Sequence, residues 1–333
     1  MCFEAVEREK IEQEGKFGMK IVILDSSTLG EDIELSAFSE IGETVIYEKS
    51  APCDVAERIA DCEVAVLNKV KLGEEELCGA KNLKLICVAA TGFDNISKEA
   101  CKKHGIALCN VPGYSTDSVS QTTLSIVLAL AMRLTFFNDF VQSGEYTQSG
   151  IQNCLSPTFY ELAGKTWGIV GYGNIGKRVA EAARAMGCKV IAFSRTPKDS
   201  VECVDLNSLC KKSDIITLHL PLSKETKGII GKAQLDMMKD NVILVNTARG
   251  AVTDEEEVAK AVETGKIGAF GTDVYSVEPI EAENPLCKLF GRRNVIMTPH
   301  LAWGAYEARK RCIEEIMLNI KAFLSGEERN RIV

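Results

Sequence analysis

From Lys20 onward, short apolar runs alternate with longer stretches of mixed polarity. The runs Ile21 to Leu24, Val45 to Tyr47, Val64 to Leu67, Leu85 to Val88 and Ala107 to Cys109 predict a first set of strands. They are continuous rather than alternating, as expected of a parallel sheet covered by helices on both faces. After Pro112-Gly113 the pattern lengthens into one helix from about Asp117 to Ser143, and a second α/β series begins. Its predicted strands are Thr166 to Val170, Lys189 to Phe193, Ile215 to Leu218, Val242 to Asn246, Gly268 to Asp273 and Val295 to Met297. The last apolar periodicity, Ala305 to Leu324, is helical and has no strand after it. It is placed back on the first unit. The chain is thus an α/β protein of two doubly wound parallel-sheet domains with a cleft between them. Residues 1–112 and 299–333 form one discontinuous domain and 113–298 the other.

Met1 to Gly18 is polar and lacks a strand or a full amphipathic period, so it is expected to be an appendage, with Met19 as an alternative start. Mixed charge at Glu4, Glu7, Arg8, Glu9 and Lys10 does not resemble a secretory signal. The longest apolar stretch, Thr122 to Met132, is closed by Arg133 and is far shorter than the roughly 20 residues of a spanning helix. A net charge of -8 argues against nucleic acid or an anionic membrane as partner. The 13 cysteines are odd in number and form no C-x-x-C pair, which excludes a disulfide framework or a zinc knuckle and points to reduced thiols in the cytoplasm. No metal site is expected.

Chemistry concentrates in the second series. Gly171-Tyr172-Gly173-Asn174-Ile175-Gly176 follows the strand ending at Val170 and opens a helix predicted over Lys177 to Met186. Glycines in that context let the backbone turn, approach a pyrophosphate and pack helix on strand, while the helix N-terminus offers free N–H groups. About 20 residues on, where an NAD site carries an acid for the ribose 2'-hydroxyl, stand Ser194, Arg195 and Thr196. A neutral hydroxyl beside an arginine, with Lys198 near, favours NADP(H), although Arg195 lying over an adenine ring would leave NAD(H) acceptable.

Asn246-Thr247-Ala248-Arg249-Gly250, Gly271 to Tyr275 with Glu278-Pro279, and Thr298-Pro299-His300 all sit at carboxyl ends of strands, where open α/β sheets bind ligands. Reduction of a 2-keto acid needs a cation for the carboxylate and a proton donor for the carbonyl oxygen. Arg249 can supply the first and His300 the second, with Glu278 orienting the imidazole and favouring its protonated form. On the residues alone, Arg249 could equally be a surface ion-pair former and Glu278 a loop residue. Of the 3 histidines, His104 ends a helix and His219 lies beside the expected nicotinamide ribose.

These segments, with His219-Leu220-Pro221-Leu222, resemble in order and spacing the D-isomer-specific 2-hydroxyacid dehydrogenase family over nearly the whole chain from Lys20. The resemblance implies a flavodoxin-like substrate domain and a Rossmann cofactor domain. It implies Arg249 as carboxylate binder, His300 as acid/base with Glu278 as its partner, and Asp273 near the nicotinamide carboxamide. It also implies cofactor contacts at His219, Leu220, Pro221, Thr226, Thr247, Ala248 and Ala302, and backbone N–H groups around Thr91-Gly92 on the substrate carboxylate. Asn68-Lys69, Ala89 to Asn95 and His300-Leu301-Ala302-Trp303 are most similar to the bacterial glycerate dehydrogenase, or hydroxypyruvate reductase, branch. There Lys69 could meet the substrate, and Trp303 could either cover its pocket or plug an interface. The Ser194 turn departs from the acidic turn of NAD-dependent members. The expected protein reduces a small 2-keto acid, hydroxypyruvate or glyoxylate foremost, as a homodimer. A phosphoglycerate dehydrogenase-like activity and a dinucleotide-sensing corepressor are the rival readings.

Overall fold

In the computed structural model, which describes residues 18–196 and 198–333, the parallel ladders account for the apolar runs. The Met1 to Gly18 appendage falls almost wholly outside the described residues. The chain folds into two units, one running up to Ser115 and resumed at Gly304–Val333, the other Thr116–Trp303.

In the first unit, β1 (Lys20–Ile23), β2 (Glu43–Ile46), β3 (Val64–Leu67), β4 (Leu85–Val88) and β5 (Ala107–Cys109) form a parallel sheet of order β2-β1-β3-β4-β5. That is the flavodoxin-type order, with its switch point between β1 and β3. β2 starts earlier than the apolar run suggested because the β1 ladder extends to polar partners, Lys20 opposite Glu43. Val22, Leu24, Leu67, Ile86, Val88 and Leu108 share one side of the core with Val55 and Ile59 of the helix Pro52–Ile59. The helix Tyr306–Leu324 packs on β4 and buries Ala308, Cys312, Ile316 and Ile320, one per turn. Its Asn319 side chain donates to Asn110 O at 3.0 Å.

In the second unit, β6 (Thr166–Val170), β7 (Lys189–Phe193), β8 (Glu202–Cys203), β9 (Ile215–Leu218), β10 (Val242–Asn246), β11 (Ile267–Thr272) and β12 (Val295–Met297) form a parallel sheet of order β12-β11-β10-β9-β6-β7-β8. The order reverses between β6 and β9. The short edge strand β8 was not expected, since two residues, one of them an exposed glutamate, carry no periodicity. The helix that opens on the glycine-rich turn is Asn174–Ala185, beginning three residues earlier than the periodicity indicated.

Two expectations need correction. The helix predicted from Asp117 to Ser143 is broken: Thr116–Ala131 and Leu134–Gln142 meet at 64°, and a short helix Glu145–Ser149 follows. Arg133 sits at φ 52°, and the Ala131 carbonyl, which a continuing helix would give to residue 135, accepts instead from the Tyr160 amide at 3.1 Å. The domain crossings also lie later than 112/113 and 298/299. Arg311 donates to Tyr114 O through Nη2 at 3.0 Å, which keeps residues 113–115 with the first unit. Asp273 holds Leu301 and Ala302 in the second. Among the described residues no single helix is long and apolar enough to cross a membrane.

Candidate active site and cofactor site

The switch point of the second unit is built from β6 and β9. Gly171 leaves β6 at φ 100°, and a Cβ there would stand 2.6 Å from His219 O, so only glycine lets the two strand ends approach. Gly176 lies one helical turn further on, where a Cβ would press on Ile169 Cγ2 at 3.0 Å. Between them Gly173 faces open space, with no heavy atom of the described residues within 4 Å of where its Cβ would be. Tight turn, open approach and close helix packing are the three conditions a dinucleotide pyrophosphate requires of this loop. Asn174 and Ile175 begin the helix and present its first amides.

His219 follows β9. Its Nε2 lies 3.0 Å from Thr217 Oγ1, which also accepts the Trp167 indole N–H at 3.0 Å. Burial pushes the imidazole down to about 3, so the ring is neutral. Its Nδ1 is buried with no hydrogen-bond partner among the described residues, and so is the Tyr172 hydroxyl on the glycine loop. Two unpaired buried polar atoms beside an open glycine suit a polar ligand laid across this switch point. A nicotinamide dinucleotide fits these residues. Leu220 and Pro221 continue from His219, and Thr226 closes their turn by donating to Pro221 O at 2.6 Å. Ser194 is half-buried at the end of β7, whereas Arg195 and Thr196 are exposed. The Glu225 carboxyl is held below its usual range by the Ser223 hydroxyl first and, in part, by the charge of Arg195.

The other cluster grows from the adjacent strands β10, β11 and β12. Register aligns Asn246 with Thr272 and Thr272 with Met297, so the residues that follow each strand emerge at one sheet edge. After β10, Asn246 folds the turn on itself, accepting from Ala248 N at 3.0 Å and donating to Arg249 O at 2.9 Å. Arg249 is thereby placed, its Nη1 donating to Ala248 O at 2.8 Å. Thr247 meets Thr123 of the helix Thr116–Ala131, hydroxyl to hydroxyl, at 2.8 Å. Gly250 is closely covered by the backbone of Tyr275 and Ser276, which leaves no room for a side chain.

After β12, His300 takes φ 53°, a left-handed conformation rare outside glycine. Buried Asp273 imposes it. The Asp273 carboxylate accepts from Thr298 Oγ1 at 2.5 Å, Leu301 N at 2.9 Å and Ala302 N at 2.8 Å, while its backbone carbonyl accepts from His300 N at 2.8 Å. Desolvation pushes this carboxyl upward, against the hydrogen bonds that lower it. The imidazole so aimed has Nδ1 2.5 Å from Glu278 Oε2, and Glu278 Oε1 accepts from Tyr275 N at 3.1 Å. Tyr275 closes the turn by donating to Thr298 O at 3.0 Å, and burial pushes its phenol up to about 12.

Sequence reasoning missed two parts of this frame. Asp273, expected at a cofactor carboxamide, has its carboxylate engaged by the histidine turn. Glu255 was not singled out at all; it stood in an acidic run, Asp254 to Glu257, that reads as an ordinary helix start. His104 ends the helix Lys98–His104 of the first unit and pairs with Glu74 at 3.0 Å, an ordinary surface contact. Lys69, Thr91 and Gly92 belong to the first unit. There the Asp25 carboxylate accepts from Lys69 N at 2.6 Å, and Thr91 Oγ1 donates to Val111 O at 2.9 Å. Trp303 is half-buried at the end of the second unit.

A Rossmann-ordered sheet with this glycine turn, and a histidine–glutamate pair at its opposite edge strands, defines a dinucleotide-dependent oxidoreductase. The chain belongs to the D-isomer specific 2-hydroxyacid dehydrogenase family, whose NAD binding domain model matches residues 124–302. Among its relatives is the glycerate dehydrogenase of Methylorubrum extorquens, 38% identical over 312 residues that span 93% of this chain and 98% of the relative. The hydroxypyruvate reductase of Blautia hydrogenotrophica is 35% identical over 94% of this chain and 99% of its own. Among solved structures, an acyclic imino acid reductase in complex with NADPH and D-Arg superposes with a TM-score of 0.83 at 28% identity, covering 95% of this chain and 100% of that one.

Proposed function

We propose that the chain reduces hydroxypyruvate or glyoxylate to the corresponding 2-hydroxy acid, D-glycerate in the first case, with NADPH favoured over NADH. The observation that carries this reading is the 2.5 Å contact between His300 Nδ1 and Glu278 Oε2. A carboxylate only accepts, so Nδ1 carries the proton, and Nε2 is the atom left to exchange one with substrate. Arg249 binds the substrate carboxylate through its planar fork and orients the keto group. Protonated His300 donates from Nε2 to the carbonyl oxygen as negative charge develops there, and Glu278 stabilises the imidazolium before transfer. The hydride would come from a nicotinamide bound at the glycine turn. Asp273 adds to the carboxamide side of that site while it holds the His300 turn.

Gly171, Gly173, Asn174, Ile175 and Gly176 would hold the pyrophosphate; His219, Leu220, Pro221, Thr226, Thr247, Ala248 and Ala302 would line the nicotinamide half. Ser194, Arg195 and Thr196 would meet the ribose 2' position, where Ser194 brings no charge against a phosphate and Arg195 is exposed to receive one. A panel of 2-keto acids assayed with NADPH and NADH, on wild type and Arg195→Ala, tests both halves. The expected result is turnover foremost of hydroxypyruvate and glyoxylate, and a KM for NADPH that rises about 10-fold in the variant while that for NADH scarcely moves. Equal loss with both cofactors refutes the 2'-phosphate role, and no turnover of any 2-keto acid refutes the activity.

We further propose a homodimer. The helix Leu134–Gln142 buries no residue, and Leu134 and Val141 are exposed. Phe136, Phe137, Phe140, Tyr146 and Phe159 form a chain of ring contacts beside it, starting with Phe136 and Phe137 at 5.2 Å. Such an apolar arm is an association surface in a chain otherwise rich in charge. Sedimentation equilibrium should return twice the chain mass, reduced by Phe140→Glu with Val141→Glu; a wild-type monomer contradicts it. A cytoplasmic setting suits the 12 cysteines among the described residues, which are all unpaired.

A further inference from the structure

Glu255 is the first residue of the helix Glu255–Glu263 and is only 8% exposed. A carboxylate withdrawn from water needs compensating donors, and here all of them come from one loop. Oε1 accepts from Ser276 N at 2.7 Å, and Oε2 accepts from Ser276 Oγ at 2.5 Å and Asn284 Nδ2 at 2.8 Å. Ser276 precedes Glu278 by two residues, and Asn284 lies six beyond it. The carboxylate therefore pins the loop on both sides of Glu278, a residue on an otherwise exposed stretch, 276–279, with little packing of its own.

The same helix is continuous with the Arg249 turn. Gly250–Val252 forms a single 3-10 turn after Arg249, Asp254 caps the helix through Glu257 N at 3.2 Å, and Glu255 follows at once. The Tyr275-Ser276 backbone lies directly over Gly250. The turn that presents Arg249 and the loop that presents Glu278 are thus fastened to one another by a carboxylate that belongs to neither.

We infer that Glu255 is a positioning residue that holds the Glu278 loop so that Glu278 meets His300, and so keeps the imidazole in the tautomer with Nδ1 protonated. This rests on the reading of Glu278 and His300 as the acid/base pair. Asp273 and Tyr275 are ionisable groups of the same unit that stand beside that pair, with Arg249 on the neighbouring turn. Without the clamp, the loop loses three hydrogen bonds and Glu278 drifts from Nδ1; displacement of about 1 Å in such a pair costs on the order of 10- to 100-fold in rate.

The test uses the full chain labelled with 15N-histidine, which has only 3 histidine rings to assign. The shifts are followed as pH is raised until they stop changing, and on that plateau the two nitrogen shifts of the ring report its tautomer. In wild type Nδ1 should carry the proton. Glu278→Gln should move the population towards Nε2–H, and Glu255→Ala should move it by at least half as much. Glu255→Ala should also lower kcat by about 10-fold or more while leaving KM for the nicotinamide cofactor within about two-fold. If Glu255→Ala does not fold, Ser276→Ala with Asn284→Ala removes two of the three contacts from the loop side and should shift the same signal. A folded variant whose His300 tautomer matches wild type overturns the proposal. The tautomer is read without turnover: a shifted signal in a chain that reduces no 2-keto acid upholds the clamp and refutes the function, whereas full turnover with an unmoved signal refutes the clamp alone.

Discussion

His300→Ala should lower kcat for 2-keto acid reduction by about 10²-fold or more, the usual loss when a general acid is removed. The expectation follows from how much of the chain is committed to this one ring. Its backbone is held at φ 53°, its turn is stitched by four bonds to Asp273, and its Nδ1 meets Glu278 at 2.5 Å. That left-handed backbone costs about 1–2 kcal/mol for a residue other than glycine, and the Asp273 bonds offset it. The substitution should leave KM for the cofactor nearly unchanged, because the glycine turn and His219 lie at the switch point between β6 and β9, away from the β11 and β12 edge. Steady-state kinetics with folded variant checks it; turnover within a few-fold of wild type would remove His300 from the chemistry.

Arg249→Ala should be as severe in kcat/KM, by about 10²- to 10³-fold. Losing one partner of a desolvated, hydrogen-bonded charge pair costs roughly 2–5 kcal/mol, and each 1.36 kcal/mol is a factor of ten. The substrate carboxylate is present in ground and transition states alike, so KM should rise; the fork also orients the carbonyl, so kcat should fall with it. Arg249→Lys retains the charge but not the planar pair of donors, and should recover only part of the loss. A rise in KM with kcat intact would assign Arg249 to binding alone.

Much of this frame was legible in the order of residues. Gly171, Gly173 and Gly176 announced themselves because a phosphate loop needs absent side chains at fixed spacing, and the structure gives each glycine a different reason for having none. Continuous apolar runs marked the parallel strands to within about two residues, except β8, whose two residues carry no pattern. The helix break at Arg133 was not legible, because it depends on Tyr160, far along the chain, taking the Ala131 carbonyl. The part Asp273 takes in the His300 turn, and Glu255 altogether, were hidden for a similar reason. Each acts through hydrogen bonds to residues 21 to 29 positions away, and nothing in a local acidic pattern says which loop a carboxylate will clamp. The spacing of Arg249, Glu278 and His300 followed from strand order, since three adjacent strands deliver their ends to one edge; the conformation that makes His300 and Glu278 meet did not.

This edge, with the dinucleotide turn, is proposed to reduce a 2-keto acid to one hand of product. Incubation of the wild-type chain with hydroxypyruvate and NADPH, followed by chiral separation of the glycerate formed, tests it most directly. D-glycerate, formed in step with NADPH oxidation and abolished in His300→Ala, is the predicted result. Formation of L-glycerate, or no oxidation of either NADPH or NADH with hydroxypyruvate and glyoxylate, would contradict it.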